Sequence, residues 1–247
     1  MNSHLIGNSM VSSDIGIILP TYREADNISK LIESIEDLKL NASILVIDDS
    51  SPDKTAEIVQ EKQTKFNNVL LCIRPKKSGL GTAITDGFKF FLNLKQMPKY
   101  IVTMDADYSH NPEDIPKLLS RMYEGECAIV IGSRYVKGGK IEGWPFTRKI
   151  ISRTANSIAK FSLGLKPHDR TSGFRCYSTK FLTETIGNLH SHTYEIQIET
   201  IRQASLRNFS LKETPVLFVN RKSGKSKLTL TEIRSYVTYT FKAILHS

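Results

Sequence analysis

Residues 100–110 read YIVTMDADYSH. An apolar run stops there on two aspartates, Asp105 and Asp107, with one small residue, Ala106, between them. Runs of similar character stand at 15–20 (IGIILP), 44–49 (ILVIDD), 69–74 (VLLCIR) and 128–135 (AIVIGSRY). Being near-continuous in apolar residues, they suit strands covered on both faces. Amphipathic stretches near 26–38, 53–64, 80–95 and 112–123 separate them, with Asp53 and Asn111-Pro112 as helix starts. Strand and helix in repeated alternation predict an α/β fold, a mostly parallel, doubly wound sheet with helices on both faces.

Sheets of this kind bind ligands beyond the carboxyl ends of their strands. The strand-end residues are therefore the candidates for chemistry. They are Pro20, Thr21, Tyr22, Arg23 and Glu24 after the first run, Asp48 and Asp49 after the second, Asp105 and Asp107 after the fourth, and Ser133, Arg134 and Tyr135 after the fifth. Read as the end of a strand, Asp105 and Asp107 project to one side. Two carboxylates about 6 Å apart repel by roughly 3 kcal/mol at an effective dielectric near 20. A divalent cation removes that cost, and magnesium or manganese takes one or two carboxylates and completes its shell with water and substrate phosphates. The rival reading has Asp107 capping a turn and Asp105 in solvent.

The second half is less regular. A glycine-rich loop, KGGKIEGWPF (137–146), precedes a basic amphipathic stretch, TRKIISRTANSIAKFSLG (147–164). DRTSGFRCY (169–177), a helix near 194–207, a strand PVLFV (215–219), a basic loop NRKSGKSKL (220–228) and a closing amphipathic helix follow. Ile150, Ile151, Ile158, Phe161 and Leu163 lie among Arg148, Lys149, Arg153 and Lys160, a pattern that suits a helix lying in the headgroup region of a membrane or one packed on the core. The expected organisation is a flexible N-terminus over 1–13, one domain over 14–228 and a C-terminal amphipathic helix over 229–247.

The 247 residues are 40% hydrophobic and 24% charged, ordinary for a globular chain. No secretory signal opens the sequence and no run is apolar enough to span a bilayer, so a cytoplasmic location is expected. Cys72, Cys127 and Cys176 match no zinc spacing and are read as reduced residues outside the chemistry. The net charge of +9 is concentrated after residue 130 and suits an anionic partner. Nucleic acid is disfavoured, because no interleaved platform of aromatic and basic residues is present. GLGTAI (79–84) lacks the third glycine of a dinucleotide fingerprint and reads as a tight turn with close backbone approach. His168-Asp169 offers an acid-base pair, and Glu195 and Glu199 stand one helical turn apart without an assigned role.

Taken in order, PTYRE, VIDDSSPDKT, GLGTA, MDADYSHNPE, GSRY, the GW loop with RKIISR, TSGFR and GKSKL resemble glycosyltransferase family 2, and within it the dolichyl-phosphate mannose synthases. The resemblance covers residues 15 to 228. It implies a GT-A fold, a Rossmann-like nucleotide-sugar-binding sheet, and inverting transfer of mannose from GDP-mannose to dolichyl or another polyprenyl phosphate. UDP-glucose is the alternative donor, since strand-end acids serve any nucleotide sugar.

By that resemblance, Pro20, Tyr22, Glu24 and Asp49 contact the nucleoside, while Asp105, Ala106 and Asp107 hold the donor diphosphate and a Mg2+ or Mn2+ ion. Arg134, Arg148 and Ser152 bind the acceptor phosphate, with Asp107, Arg134 and Arg148 carrying the catalysis. Arg221 and Lys227 close over the diphosphate, and Asp169 with the TSGFR segment walls the acceptor side. Two positions depart from the family pattern: Arg23 replaces an Asn, and Ser109 replaces the Gln that some members carry after the DAD. The resemblance also implies peripheral attachment to the cytosolic face of a membrane, with small membrane subunits as partners in the form that has no span of its own.

Overall fold

The computed structural model describes residues 3–7, 13–220 and 230–245, with side chains in the last segment described over 234–244. In chain order the strands are β1 (His4–Ile6), β2 (Ile15–Thr21), β3 (Ala42–Asp48), β4 (Val69–Ile73), β5 (Tyr100–Thr103), β6 (Ile129–Ser133), β7 (Lys140–Glu142), β8 (Arg175–Ser178), β9 (Leu211–Pro215) and β10 (Leu217–Val219). The helices are α1 (Ala25–Glu36), α2 (Thr55–Gln63), α3 (Leu80–Leu92), α4 (Ile115–Tyr123), α5 (Phe146–Leu163), α6 (Thr179–Thr185), α7 (Ile196–Leu206) and α8 (Leu230–Leu245).

Eight strands form one sheet in the order β1-β4-β3-β2-β5-β8-β6-β9, and β10 and β7 form a parallel pair of their own. The apolar runs become its centre because both faces are covered. Ile17 and Leu19 of β2 enter one hydrophobic cluster with Ile28, Leu31 and Ile32 of α1, while Ile18 enters the other with Phe88 and Phe91 of α3. Alternation along one strand thus feeds two cores.

The expected α/β architecture is what the chain adopts, with three differences. First, β6 does not lie beside β5: β8 inserts between them, antiparallel to both, so β6 keeps the direction of β5. RCYS is too short to announce itself as a strand, and its burial comes from its neighbours rather than from its own pattern. Second, PVLFV is divided. Pro215 ends β9 in the main sheet, and Leu217–Val219 forms β10 against β7. Third, His4–Ile6, in the segment expected to be flexible, pairs antiparallel with β4 at the sheet edge.

Candidate active site

The carboxyl ends of β2, β3, β5 and β6 lie along one edge of the sheet, since these strands share a direction. Hydrogen bonds join the first two loops beyond that edge. Thr21 Oγ1 donates to Asp48 Oδ1 at 2.9 Å, Ser51 N–H to Asp48 Oδ2 at 2.8 Å, Arg23 N–H to Ser51 Oγ at 2.9 Å and Glu24 N–H to Thr55 Oγ1 at 3.0 Å. Asp53, expected as a helix start, accepts from Thr55 N–H and also from Ala25 N–H, the first residue of α1. Arg23, Ser50 and Tyr108 have φ of 58°, 53° and 58°. All three stand in turns just past strand ends, and Lys39, Lys54 and Asn208 take the same left-handed backbone at turns and helix ends elsewhere.

On the β2–β3 side, Asp49 is buried against Arg74, whose Nε donates to Asp49 Oδ1 at 2.5 Å. Ser78 N–H donates to Asp49 Oδ2 at 3.2 Å. Burial pushes the Asp49 carboxyl up more than the guanidinium pulls it down. Arg74 also reaches Thr82 Oγ1 at 2.8 Å and Asp86 Oδ2 at 3.1 Å, both in α3, tying the end of β4 to that helix. Sequence reasoning passed over Arg74; its signal is a cation ending an otherwise apolar run. Glu24 is buried and accepts from Asn27 Nδ2 at 2.9 Å, and Pro20, near the end of β2, is half-buried. The half-buried Tyr22 ring faces the Lys77 ammonium, 4.4 Å from its centroid.

Asp105 and Asp107 correct one expectation. β5 ends at Thr103, so both stand on a turn and strand alternation does not orient them. Asp107 is buried, and its Oδ1 accepts from Ser109 N–H at 3.0 Å, closing the turn. Asp105 is partly exposed, with Oδ2 4.0 Å from His110 Nδ1. Ala106 between them is buried. The turn is held down from the other side by Val219 N–H, which donates to Ser109 O at 3.0 Å. His110 stacks on Phe174 and meets Phe218 edge-on, and burial depresses its basicity despite the nearby aspartates.

Across the crevice Arg134, at the end of β6, forms a double ion pair with the fully buried Asp169. Its Nη2 also donates to Thr171 Oγ1 at 2.7 Å. Two cations approach the Trp144 ring, Arg134 at 5.2 Å and Arg148 at 4.3 Å from its centroid. Arg148 Nη1 donates to Asn220 Oδ1 at 3.0 Å, and Ser152 Oγ accepts from Tyr135 OH at 2.7 Å. His168 is exposed on Glu213 and makes no pair with Asp169. Glu195 and Glu199 accept backbone N–H groups of residues 190–193, a role in the scaffold. Arg221 and Lys227 lie outside the described residues.

Asp105, Arg134, Arg148 and Ser152 line one cavity of about 360 Å³. Most of the remaining wall is apolar, with Ile150, Ile151 and Ile158 of α5 and Val237 of α8, while Thr171, Gln197 and Tyr236 are among its polar members. A polar end with two arginines and an acidic turn thus opens into a greasy groove between two helices.

The family model described as Glycosyl transferase family 2 matches residues 16–185. The chain belongs to glycosyltransferase family 2. It is 36% identical over 220 residues to a polyprenol monophosphomannose synthase of Mycolicibacterium smegmatis, covering 88% of this chain and 82% of the relative. It is 35% identical over 214 residues to an undecaprenyl-phosphate mannosyltransferase of Micrococcus luteus, covering 86% of each. Among solved structures it is similar to glucosyl-3-phosphoglycerate synthase of Mycobacterium tuberculosis bound to Mn2+, UDP and glucosyl-3-phosphoglycerate (TM-score 0.65, 18% identity, 96% of this chain and 81% of that one). A mannosyltransferase of Pyrobaculum calidifontis in complex with GDP-Man and Mn2+ is similar at TM-score 0.64 and 12% identity, over 100% of this chain and 68% of that one. The fold is GT-A, and the chain is a hexosyltransferase of this family.

The transferase's acidic turn offers the donor set of a hard cation. Two carboxylates stand on it, and the buried Ser109 Oγ beside Asp107 has no hydrogen-bond partner. Among the described residues no group of three or more His, Cys, Asp or Glu side chains is placed to enclose a metal. Such a site fits Mg2+ or Mn2+ shared with water and phosphate rather than a closed protein cage.

Proposed function

We propose that this family 2 transferase moves mannose from GDP-mannose to the phosphate of a polyprenyl lipid, dolichyl phosphate or a bacterial-type equivalent, at a membrane surface. The observation that carries the reading is the single cavity that joins Asp105 to Arg134 and Arg148 and continues into an apolar groove. Such a cavity suits an acceptor with an anionic head and a hydrocarbon tail. The names of the two relatives support the acceptor class and the sugar.

In this reading Pro20, Tyr22, Glu24 and Asp49 line the nucleoside end, and Asp105, Ala106 and Asp107 the diphosphate. A divalent cation held by Asp105 and Asp107 would supply charge neutralisation for the departing GDP. The acceptor phosphate is ionised at neutral pH, so its oxygen attacks the anomeric carbon without a general base. The new C1–O bond forms as the bond to the diphosphate breaks, and the configuration inverts. What the protein supplies is alignment and charge. Arg148, stacked on Trp144, and Arg134, pre-aligned by Asp169, would hold the phosphate while Ser152 donates to it. Arg221 and Lys227 would close over the diphosphate.

The exposed apolar side chains of α5 and α8 support peripheral attachment. Phe161 is 82% exposed and Phe241 62%, and no described helix is long and apolar enough to cross a membrane. The test is transfer of labelled hexose into organic-extractable lipid, with polyprenyl phosphate and either Mg2+ or Mn2+. Chelator-sensitive labelling from GDP-mannose and not from UDP-glucose is expected. Labelling from UDP-glucose alone would overturn the sugar assignment, and labelling from neither by a folded protein would overturn the acceptor.

A further inference from the structure

Gln197 is the second residue of α7, only 2% exposed, and neither its Nε2 nor its Oε1 has a hydrogen-bond partner. A buried amide with both ends unsatisfied is rare, because each orphaned group keeps its desolvation cost. The side chain borders the same cavity as Asp105 and Arg134. Its setting shows where the missing partner would come from. Gly173 faces the gap: a Cβ built there would lie 3.5 Å from Gln197 Nε2 and 3.4 Å from Asp105 Oδ1. The glycine leaves a methyl-sized opening between the amide and the acidic turn.

That opening is held rigid. Arg175, fully buried, donates through Nη1 to Gln197 O at 2.7 Å, through Nε to Ser172 O at 2.8 Å and through Nη2 to Arg170 O at 2.9 Å. One guanidinium therefore clamps the start of α7 to the 170–173 segment. Thr103 Oγ1 adds a bond to Gly173 O at 2.8 Å, tying the same segment to the end of β5. Gln197, Gly173 and the acidic turn are positioned together before any ligand arrives.

We propose that Gln197 is a specificity-determining residue that hydrogen-bonds hydroxyl groups of the hexose being transferred. An amide offers two donors and an acceptor, the complement of adjacent sugar hydroxyls. Placed next to Asp105, it reaches a sugar whose diphosphate lies on the acidic turn, and this step rests on the donor geometry proposed above. A neutral amide also suits the spot, since a carboxylate there would add negative charge beside the departing diphosphate. A site built to bond a substrate hydroxyl discriminates strongly against the analogue that lacks it.

The test is a cycle of enzyme variants against deoxy sugars. Wild type, Gln197→Leu and Gly173→Ala are compared on the nucleotide hexose that wild type uses, and on its 2-, 3- and 4-deoxy forms. Which hexose wild type accepts tests the proposed function; the ratios among variants test Gln197. Gln197→Leu is expected to lose about 10- to 100-fold in kcat/KM with the full sugar. It should no longer distinguish that sugar from at least one deoxy form that wild type penalises. GDP affinity should stay within about twofold, as GDP has no hexose. Without ligand the Leu variant should be at least as stable as wild type, because it deletes two unsatisfied groups. Gly173→Ala, which only fills the opening, should raise KM for the sugar nucleotide while GDP still binds. Deoxy penalties in Gln197→Leu equal to those of wild type would overturn the assignment, as would an unchanged KM in Gly173→Ala.

Discussion

Arg134 and Asp169 are locked face to face, Nε to Oδ2 at 2.7 Å and Nη2 to Oδ1 at 2.6 Å, with Arg134 N–H adding a third bond to Oδ2 at 3.0 Å. Both side chains are buried. Removing one partner of such a pair leaves an uncompensated buried charge at a cost of about 3–5 kcal/mol. Arg134→Ala is therefore expected to lower the urea midpoint markedly, and Arg134→Ala with Asp169→Ala to recover much of the loss. Arg134→Lys keeps the charge but not the fork. In that variant transfer should fall at least about tenfold with donor binding intact. A lysine variant with wild-type turnover would remove Arg134 from the acceptor site.

The same pair sets an acid limit on stability. Burial alone would raise the Asp169 carboxyl, but Arg134 outweighs it and holds the group below the usual carboxylate range. A depressed folded-state pKa contributes in full above the unfolded value, about 3.9, and is lost as pH falls from there toward the folded value. The stability advantage of wild type over Asp169→Asn should be constant above about pH 5 and shrink below pH 4. Denaturant titrations at several pH values check this, and an advantage that does not change with pH would exclude the pair as its source.

Asp105 and Asp107 should act on cation and donor together. With GDP present, Asp105→Asn and Asp107→Asn are expected to weaken Mn2+ binding, followed by electron paramagnetic resonance of the free ion. Transfer should drop on the order of 10²- to 10⁴-fold, the several kcal/mol attributed to a Lewis-acidic ion. Undiminished Mn2+ uptake by both variants would move the metal elsewhere.

GLGTAI owes its glycines to a close backbone approach. A Cβ on Gly81 would lie 2.4 Å from Ser191 O, and one on Gly79, where φ is +101°, 2.3 Å from His192 O. Gly81 N–H in turn donates to His192 O at 3.0 Å. Gly81→Ala should destabilise the protein by about 1–3 kcal/mol, the range for overpacking, read as a lower melting temperature.

How legible this was depended on whether a residue's role was local. The apolar runs of β2 to β6 and the amphipathic helices between them were readable because burial on both sheet faces imposes a continuous pattern. The acidic turn was readable as a motif, but its geometry was not: Tyr108 takes φ of 58°, and sequence alternation says nothing about a turn. β8 was invisible because four residues carry no period, and its place between β5 and β6 follows from long-range packing. Arg74, Arg175 and Gln197 were missed for the same reason. Arg74 and Arg175 reach groups that only the fold brings up, Asp49 for the one and Gln197 O for the other, and Gln197 borders a cavity that exists only once α5, α7 and the acidic turn are assembled.

Membrane attachment gives the last prediction. α5 buries only Asn156 and Ala159, while Phe146, Ile150, Ile151, Ile158 and Phe161 are exposed among Arg148, Lys149, Arg153 and Lys160. α8 is tied to it by Tyr236 OH, which donates to Ala155 O at 2.5 Å, and exposes Val237, Phe241 and Ile244. Core packing therefore does not account for these side chains, and a basic helix with an unburied apolar face suits the headgroup boundary. The protein should co-sediment with anionic vesicles at low ionic strength and be released as salt shortens the Debye length. Phe161→Ser and Phe241→Ser should each weaken partitioning about 10- to 100-fold, the value of burying one phenylalanine. Because Phe161 lies outside the lining of the cavity, Phe161→Ser should keep transfer to a short, water-soluble polyprenyl phosphate near wild type while transfer to vesicle-embedded acceptor falls. Equal losses on both acceptors would show that Phe161 serves the fold and not the membrane.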